Sequence, residues 1–133
     1  MTLIETTHLF DTSVLIQILR RDQAIIQRRA QITTTAYLNA TVLGELLLGA
    51  KRSSQVANGL TEVQTLVLTM RVLPIDETTS DVYSDIARDL RSFGQPIPEN
   101  DVWIAASSLQ YGLTLVTRDA HFTRVSGLLI EQW

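Results

Sequence analysis

Four acidic residues stand out because they follow or interrupt apolar stretches of the chain. They are Asp11, Glu45, Asp101 and Asp119. The first and the last come at the ends of two apolar segments, HLF at 8–10 and LTLVT at 113–117. Glu45 is the only charged residue between Thr41 and Ala50. A carboxylate is almost never fully buried without a partner, so an acid in such a place is expected to be paired or bound to a metal.

Carboxylates brought together point to one kind of chemistry. Clustered carboxylates repel one another. Mg²⁺ or Mn²⁺ relieves the repulsion, because these ions bind hard oxygen ligands and retain coordinated water. The chain has no cysteine, and its two histidines, His8 and His121, are isolated in the sequence, which argues against zinc. The pattern therefore favours metal-assisted hydrolysis of a phosphodiester bond. One ion would activate water, and a second, roughly 4 Å away, would stabilise the leaving oxygen.

Each acid also has a simpler explanation. Asp11 and Asp119 would cap the helix or turn that follows them, and Asp101 would cap the apolar helix DVWIAASSL. A salt bridge would explain Glu45, with Lys51, Arg52 or a distant arginine as its partner. A second acidic series, Asp81, Asp85 and Asp89, recurs every four residues. Because serine and arginine neighbours accompany it, a solvated helix face explains this series better than a site.

Short apolar segments alternate with helical patterns and would position these acids. The predicted strands cover residues 8–10, 36–39, 72–75, 113–117 and 128–133. The predicted helices cover residues 12–21, 42–52, 56–70, 78–94 and 101–111. This alternation predicts an α/β domain with a central, mainly parallel sheet covered on both faces. In such a sheet the ligand site lies beyond the carboxyl ends of the strands, where Asp11 and Asp119 fall.

Composition limits the class of protein. The chain has 133 residues, enough for a single domain spanning 1–133, and 45% of them are hydrophobic. Its 14 acidic and 11 basic residues give a formal charge of -3, which counts weakly against a protein that simply coats nucleic acid. The N-terminus has no basic and then apolar leader, and no apolar run approaches the roughly 20 residues that cross a bilayer. We expect a soluble, cytoplasmic protein.

The sequence resembles the PIN-domain ribonucleases, most closely the VapC-type toxins of bacterial toxin-antitoxin pairs. The resemblance is carried by LFDTSVLI at 9–16, by TVLGELLLGAKR at 41–52, and by the stretch from IPEND at 97–101 to the C-terminus. It implies a three-layered α/β/α fold and a metal-dependent endoribonuclease that uses Mg²⁺ or Mn²⁺. It also implies inhibition by a cognate antitoxin and a homodimer.

The resemblance further implies roles for individual residues. Matched position by position, the four acids of the family's active site are Asp11, Glu45, Asp101 and Asp119. Asp11 and Asp101 would be direct metal ligands and Glu45 would act directly or through water, whereas the role of Asp119 varies most. Thr117 matches the hydroxyl residue at the strand end. Ser13 and Arg118 stand where many relatives have asparagine, a difference that leaves the metal site intact and could alter how RNA is held.

Binding surfaces and other functions stay open in the sequence. Positive charge that could hold RNA phosphates comes from Arg20, Arg21, Arg28, Arg29, Lys51, Arg52, Arg118 and Arg124, although solvated surface explains each equally well. Residues 60–70 could fill the core or receive an antitoxin helix or a second subunit. A receiver-type signalling domain would need two adjacent acids after its first strand and a lysine after its last, and both are missing. A non-catalytic RNA- or protein-binding module is the more serious alternative.

Overall fold

Five short parallel strands form the centre of the molecule. The structure, a computed structural model, describes residues 6–133. Its strands are β1 (His8–Phe10), β2 (Ala36–Asn39), β3 (Arg71–Leu73), β4 (Thr114–Thr117) and β5 (Ile130–Gln132). They lie in the order β3-β2-β1-β4-β5, and every neighbouring pair is parallel. β1 is therefore the middle strand, and all three of its residues are buried.

Helices connect the strands, because parallel neighbours need a crossover connection. The helices are α1 (Thr12–Leu19), α2 (Gln23–Ala30), α3 (Ala40–Lys51), α4 (Val56–Val67), α5 (Glu77–Ser92) and α6 (Glu99–Tyr111), with a 3-10 helix at Ala120–Arg124. The predicted α/β class with a mainly parallel sheet is confirmed. Within residues 6–133, no helix is long and apolar enough to cross a membrane.

Two elements differ from the prediction in ways that their sequences explain. The helix α2 was not predicted, because it buries only Ile25 and so has little apolar periodicity. Its N-terminus is capped by Asp22, whose side chain accepts hydrogen bonds from the amides of Ala24 and Ile25. The strand predicted at 72–75 lies at Arg71–Leu73, because the Pro74 nitrogen cannot donate to a ladder.

Several helix boundaries also differ from the predicted ones, including those of the helices predicted at 42–52 and 78–94, which lie at Ala40–Lys51 and Glu77–Ser92. The predicted helix 12–21 ends at Leu19, and Arg21 has a φ of 66°, outside the helical range. The predicted helix 56–70 ends at Val67. The last helix begins at Glu99, with Pro98 before it, rather than at Asp101. Asp101 therefore lies within the first turn of α6 and does not occupy the capping position.

Asn39 joins the two helices that carry Glu45 and Asp101. Its side chain is fully buried at the end of β2. The Oδ1 atom accepts a hydrogen bond from the amide of Val42 (2.9 Å) and so caps α3. The Nδ2 group donates to the carbonyl oxygen of Trp103 (3.2 Å) and to the hydroxyl of Ser107 (3.0 Å), both in α6. One amide side chain thus fixes α3 against α6.

Replacing Asn39 should destabilise the protein strongly. Asn39→Ala removes a helix cap and leaves buried polar groups without partners, so the free energy of unfolding should fall by about 2–4 kcal/mol. Urea denaturation followed by circular dichroism measures it. The matched control is Asn58→Ala on the exposed surface of α4, which should change stability by less than about 0.5 kcal/mol. Equal stabilities for the two variants would contradict this role of Asn39.

Candidate active site at the carboxyl ends of the strands

Asp11 is a buried carboxylate at the end of the middle strand. It is 2% exposed and precedes the first residue of α1. Its Oδ1 atom accepts a hydrogen bond from the amide of Thr12, and its Oδ2 atom accepts one from each of the hydroxyls of Ser13 and Thr117, all at 2.8 Å. Among the described residues no basic side chain forms an ion pair with Asp11. The capping explanation accounts for the contact with Thr12 and leaves the two hydroxyl contacts unexplained.

The same two hydroxyls hold the turn that carries Asp119. Thr117 Oγ1 accepts a hydrogen bond from the amide of Asp119 (3.0 Å), and Ser13 Oγ accepts one from the amide of Arg118 (3.1 Å). The turn after β4 is thereby tied to Asp11 by two parallel connections. The Asp119 side chain makes no capping hydrogen bond to the 3-10 helix that follows it. Capping therefore does not explain this acid.

Glu45 lies half-buried on α3 and faces the start of α1. The hydroxyl of Thr12 donates a hydrogen bond to its Oε1 atom (2.8 Å). In the part of the chain that the structure describes, neither Lys51 nor Arg52 forms a salt bridge with it. Glu45 instead borders an open groove with Arg52 and Asn100. The salt-bridge explanation for this carboxylate is therefore not supported.

Asp101 has a partner that the sequence did not indicate. The Nε2 atom of His121, a residue isolated in the sequence, lies 2.6 Å from its Oδ2 atom. His8 is also paired, at 3.0 Å from Glu131. The side chain of Asp101 is 14% exposed and that of His121 is 27% exposed. Asp101 is thus largely buried beside a histidine ring.

Three of the acids, Asp11, Glu45 and Asp101, have raised pKa values, and the charge of at least one other acid of the group contributes to each. Burial raises the pKa of Asp11, and the charge of Asp119 adds to this, while hydrogen bonds from Thr117 and Ser13 oppose it. Burial also raises the pKa of Glu45, and the charges of Asp11 and Asp119 contribute. Burial, the charge of Asp11 and the charge of Glu45 raise the pKa of Asp101 to about 6, against the effect of His121. The fold has brought together all four acids that the sequence singled out.

The donor set suits a hard divalent cation, although the side chains do not form a closed cage. Within residues 6–133, no three His, Asp or Glu side chains are arranged to hold one ion by themselves. Mg²⁺ and Mn²⁺ do not need such a cage, because they commonly bind through one or two carboxylates and retain water. Carboxylates that destabilise one another's charged forms are the groups such an ion would stabilise. The residues present therefore fit a hydrated divalent cation.

Three residues of the site were missed or only partly recognised in the sequence. Thr12 links Asp11 to Glu45, and its only sequence signal is its place directly after Asp11. Asn100 borders the same groove as Glu45, and its place beside Asp101 could have indicated it. His121 lies two residues beyond Asp119, but nothing in the sequence pairs it with Asp101. The acidic series Asp81, Asp85 and Asp89 is exposed on α5, as predicted.

Proteins similar to this chain have been named for RNA cleavage or toxicity. A protein from Sinorhizobium fredii named VapC ribonuclease Y4jK is 32% identical over 111 residues, which cover 78% of this chain and 79% of the relative. A protein from Neisseria gonorrhoeae named Toxin FitB is 29% identical over 120 residues, which cover 84% of this chain and 86% of the relative.

A solved structure and a model of a protein family also match this chain. The crystal structure of DNA-bound VapBC from Salmonella typhimurium contains a chain of 26% identity that superposes with a TM-score of 0.90, covering 96% of this chain and 98% of that one. The predicted three-layer α/β/α architecture is thereby confirmed. The model of the PIN domain family matches residues 9–128, almost the whole chain. The chain belongs to the PIN domain family.

Proposed function

We propose that residues 1–133 form a single metal-dependent endoribonuclease domain, the toxin of a toxin-antitoxin pair. The observation that carries the proposal is the convergence of four acids from distant segments at the carboxyl ends of the parallel strands. Three of them have raised pKa values and no lysine or arginine partner within residues 6–133. The names of the relatives, a VapC ribonuclease and a toxin, support RNA as the substrate.

The site residues divide into ligands and groups that orient ligands. Asp11 and Asp101 would hold Mg²⁺ or Mn²⁺ directly, Glu45 directly or through water, and Asp119 would complete the acidic rim. Thr117 fixes the carboxylate of Asp11 through the hydrogen bond to Oδ2. When bound, a divalent cation lowers the pKa of a water molecule and neutralises charge on the phosphate under attack. The hydrolysis needs no covalent enzyme intermediate.

Basic residues near this rim could hold the RNA phosphates. Arg52 borders the same groove as Glu45, and Arg118 is exposed beside Asp119. Two other arginines contact aromatic rings: the guanidinium of Arg28 lies 4.9 Å from the ring of Trp133, and that of Arg29 lies 5.6 Å from the ring of Phe10. Local positive charge from Arg52 and Arg118 would allow an acidic protein to bind a polyanion.

The proposal includes two protein partners, a cognate antitoxin and a second copy of the chain in a homodimer. The similar chain from Salmonella typhimurium was solved in a VapBC complex, which supports a partner of the antitoxin kind. In residues 60–70, Val63 belongs to the core, whereas Leu68 is 87% exposed and leaves apolar surface for a partner. Because cellular RNA is the substrate, the proposal places the protein in the cytoplasm.

Removing a single ligand should abolish cleavage without unfolding the protein. Purified, antitoxin-free protein is incubated with cellular tRNA and ribosomal RNA in Mg²⁺ or Mn²⁺, and the fragments are resolved on gels. Asp11→Asn and Asp101→Asn should each lower the cleavage rate by about 100-fold or more, since a neutral amide is a poor ligand for a hard cation. A chelator should stop the wild-type reaction.

The control for cleavage is Asp81→Asn, which removes an exposed carboxylate from α5 and should cleave as the wild type does. Circular dichroism confirms that each variant is folded. Cleavage that survives Asp11→Asn or the chelator would contradict the proposed mechanism. Intact RNA with folded wild-type protein would favour the non-catalytic binding module instead.

The stability of the metal-free protein should depend on pH through Asp101. Its pKa is raised to about 6 in the folded protein, from an ordinary value of 3.8. Between these values the folded state binds more protons than the unfolded state, so the group's contribution to the free energy of unfolding falls as pH rises from about 4 to about 6. Urea denaturation at successive pH values in chelator measures this.

The informative quantity is the difference between wild type and Asp101→Asn, because other groups titrate in the same range. Across this window the free energy of unfolding of the wild type should decrease relative to that of the variant. The surface variant Asp81→Asn reports the effect of deleting a carboxylate elsewhere. Parallel pH profiles for wild type and Asp101→Asn would contradict the raised pKa.

A further inference from the structure

We propose that His121 is a positioning residue for Asp101, holding one carboxylate oxygen so that the other stays available to the cation. The inference rests on the cation of the proposed function and adds a residue to it. Its basis is the 2.6 Å contact between His121 Nε2 and Asp101 Oδ2. An ionised carboxylate can only accept hydrogen bonds, so the ring nitrogen that faces it must carry the proton.

The two oxygens of Asp101 differ in a way that suits a ligand. Oδ2 is occupied by His121, whereas Oδ1 accepts no hydrogen bond from any donor in the described range 6–133. Asp11 differs, because both of its oxygens already accept hydrogen bonds. Asp101 therefore offers an oxygen without a competing protein donor, provided that its carboxylate does not rotate. The histidine ring supplies that restraint.

The ring of His121 is itself held in place. The next residue, Phe122, is fully buried, and its ring centroid lies 4.9 Å from that of His121. The guanidinium of Arg124 donates a hydrogen bond to the carbonyl oxygen of Pro96 (3.0 Å), which joins the 3-10 helix to the loop before α6. These contacts fix the distance between the backbone of His121 and the first turn of α6. A donor anchored in this way can orient its acceptor.

Hydrogen bonds to ligating groups usually strengthen metal binding by 10–100-fold. The chain contains its own comparison, because His8 makes the same kind of contact elsewhere. Its Nε2 atom lies 3.0 Å from Oε2 of Glu131, and its side chain is 10% exposed. His8 lies in β1, and its side chain forms no hydrogen bond with Asp11 or Asp101 in the described part of the chain. Loss of this second pair should leave cation binding unchanged.

Mn²⁺ affinity tests the inference without relying on cleavage. The dissociation constant is measured by electron paramagnetic resonance of free Mn²⁺ at pH 7.5 for the wild type, His121→Phe, His121→Gln and His8→Gln. His121→Phe keeps a ring without a donor and should weaken binding by about 10–100-fold. His121→Gln places an amide donor near the position of Nε2 and should recover affinity to within about threefold of the wild type. His8→Gln should bind as the wild type does.

A second measurement separates orientation from damage to the fold. Circular dichroism and urea denaturation of each metal-free variant show whether it is folded, and RNA cleavage is followed as a function of Mn²⁺ concentration. For His121→Phe the half-activating Mn²⁺ concentration should rise by the same factor as the dissociation constant. The rate at saturating Mn²⁺ should stay within about threefold of the wild type.

The outcomes distinguish this inference from the proposed function. Unchanged Mn²⁺ affinity in His121→Phe would overturn the positioning role while leaving the nuclease intact. Equal weakening in His121→Phe and His121→Gln would show that the hydrogen bond is not the cause, which also overturns it. Should His121→Phe unfold, folded His121→Gln with weak binding would count against the inference in the same way. A wild type that binds no Mn²⁺ would overturn the cation itself, and the proposed function with it.

Discussion

The site depends on one buried carboxylate that is held by neutral donors. Asp11 ends the middle strand of the sheet and is 2% exposed, where a lone charge would cost several kcal/mol. An amide and two hydroxyls reduce this cost, and the hydroxyls of Ser13 and Thr117 come from opposite ends of the chain. The same two hydroxyls also accept hydrogen bonds from the amides of Arg118 and Asp119. The groups that stabilise the carboxylate of Asp11 therefore also position the turn that carries Asp119.

The rest of the fold brings further negative charge to this carboxylate. The helix α3 carries Glu45 and α6 carries Asp101, and the buried amide of Asn39 joins these helices. Apolar packing and hydrogen bonding thus hold together carboxylates whose charges repel. Burial, and after it the charges of neighbouring acids, raises the pKa values of Asp11, Glu45 and Asp101. Acids held together at the expense of stability are a common feature of functional sites, because the stored repulsion favours binding of a cation.

Sequence reasoning found the acids because their signals are local. Asp11 and Asp119 follow apolar strands, and Glu45 has no polar neighbours on its helix. The polar neighbours of the exposed series on α5 likewise indicate a solvated helix face. The parallel order of β1 and β4, which brings Asp11 and Asp119 to one rim, followed from the alternation of strands and helices.

What the sequence could not predict depends on distant contacts. His121 meets Asp101 across 20 residues, and Asn39 reaches Ser107 across 68, and no periodicity encodes such pairs. The helix α2 was missed because a helix that buries a single residue leaves almost no hydrophobic pattern. Ser13 was recognised only as a replacement for asparagine. Its bridge between Asp11 and Arg118 becomes visible only when β1 and β4 lie side by side.

The most direct measurement of the central claim is anomalous X-ray scattering from crystals soaked in Mn²⁺. The account predicts an anomalous peak beside the carboxylates of Asp11 and Asp101, and its loss in Asp11→Asn crystals that show the same fold. A protein that cleaves RNA in Mn²⁺, yet shows no peak at these carboxylates when saturated with the ion, would contradict it. A peak only at the exposed acids of α5 would contradict it as well.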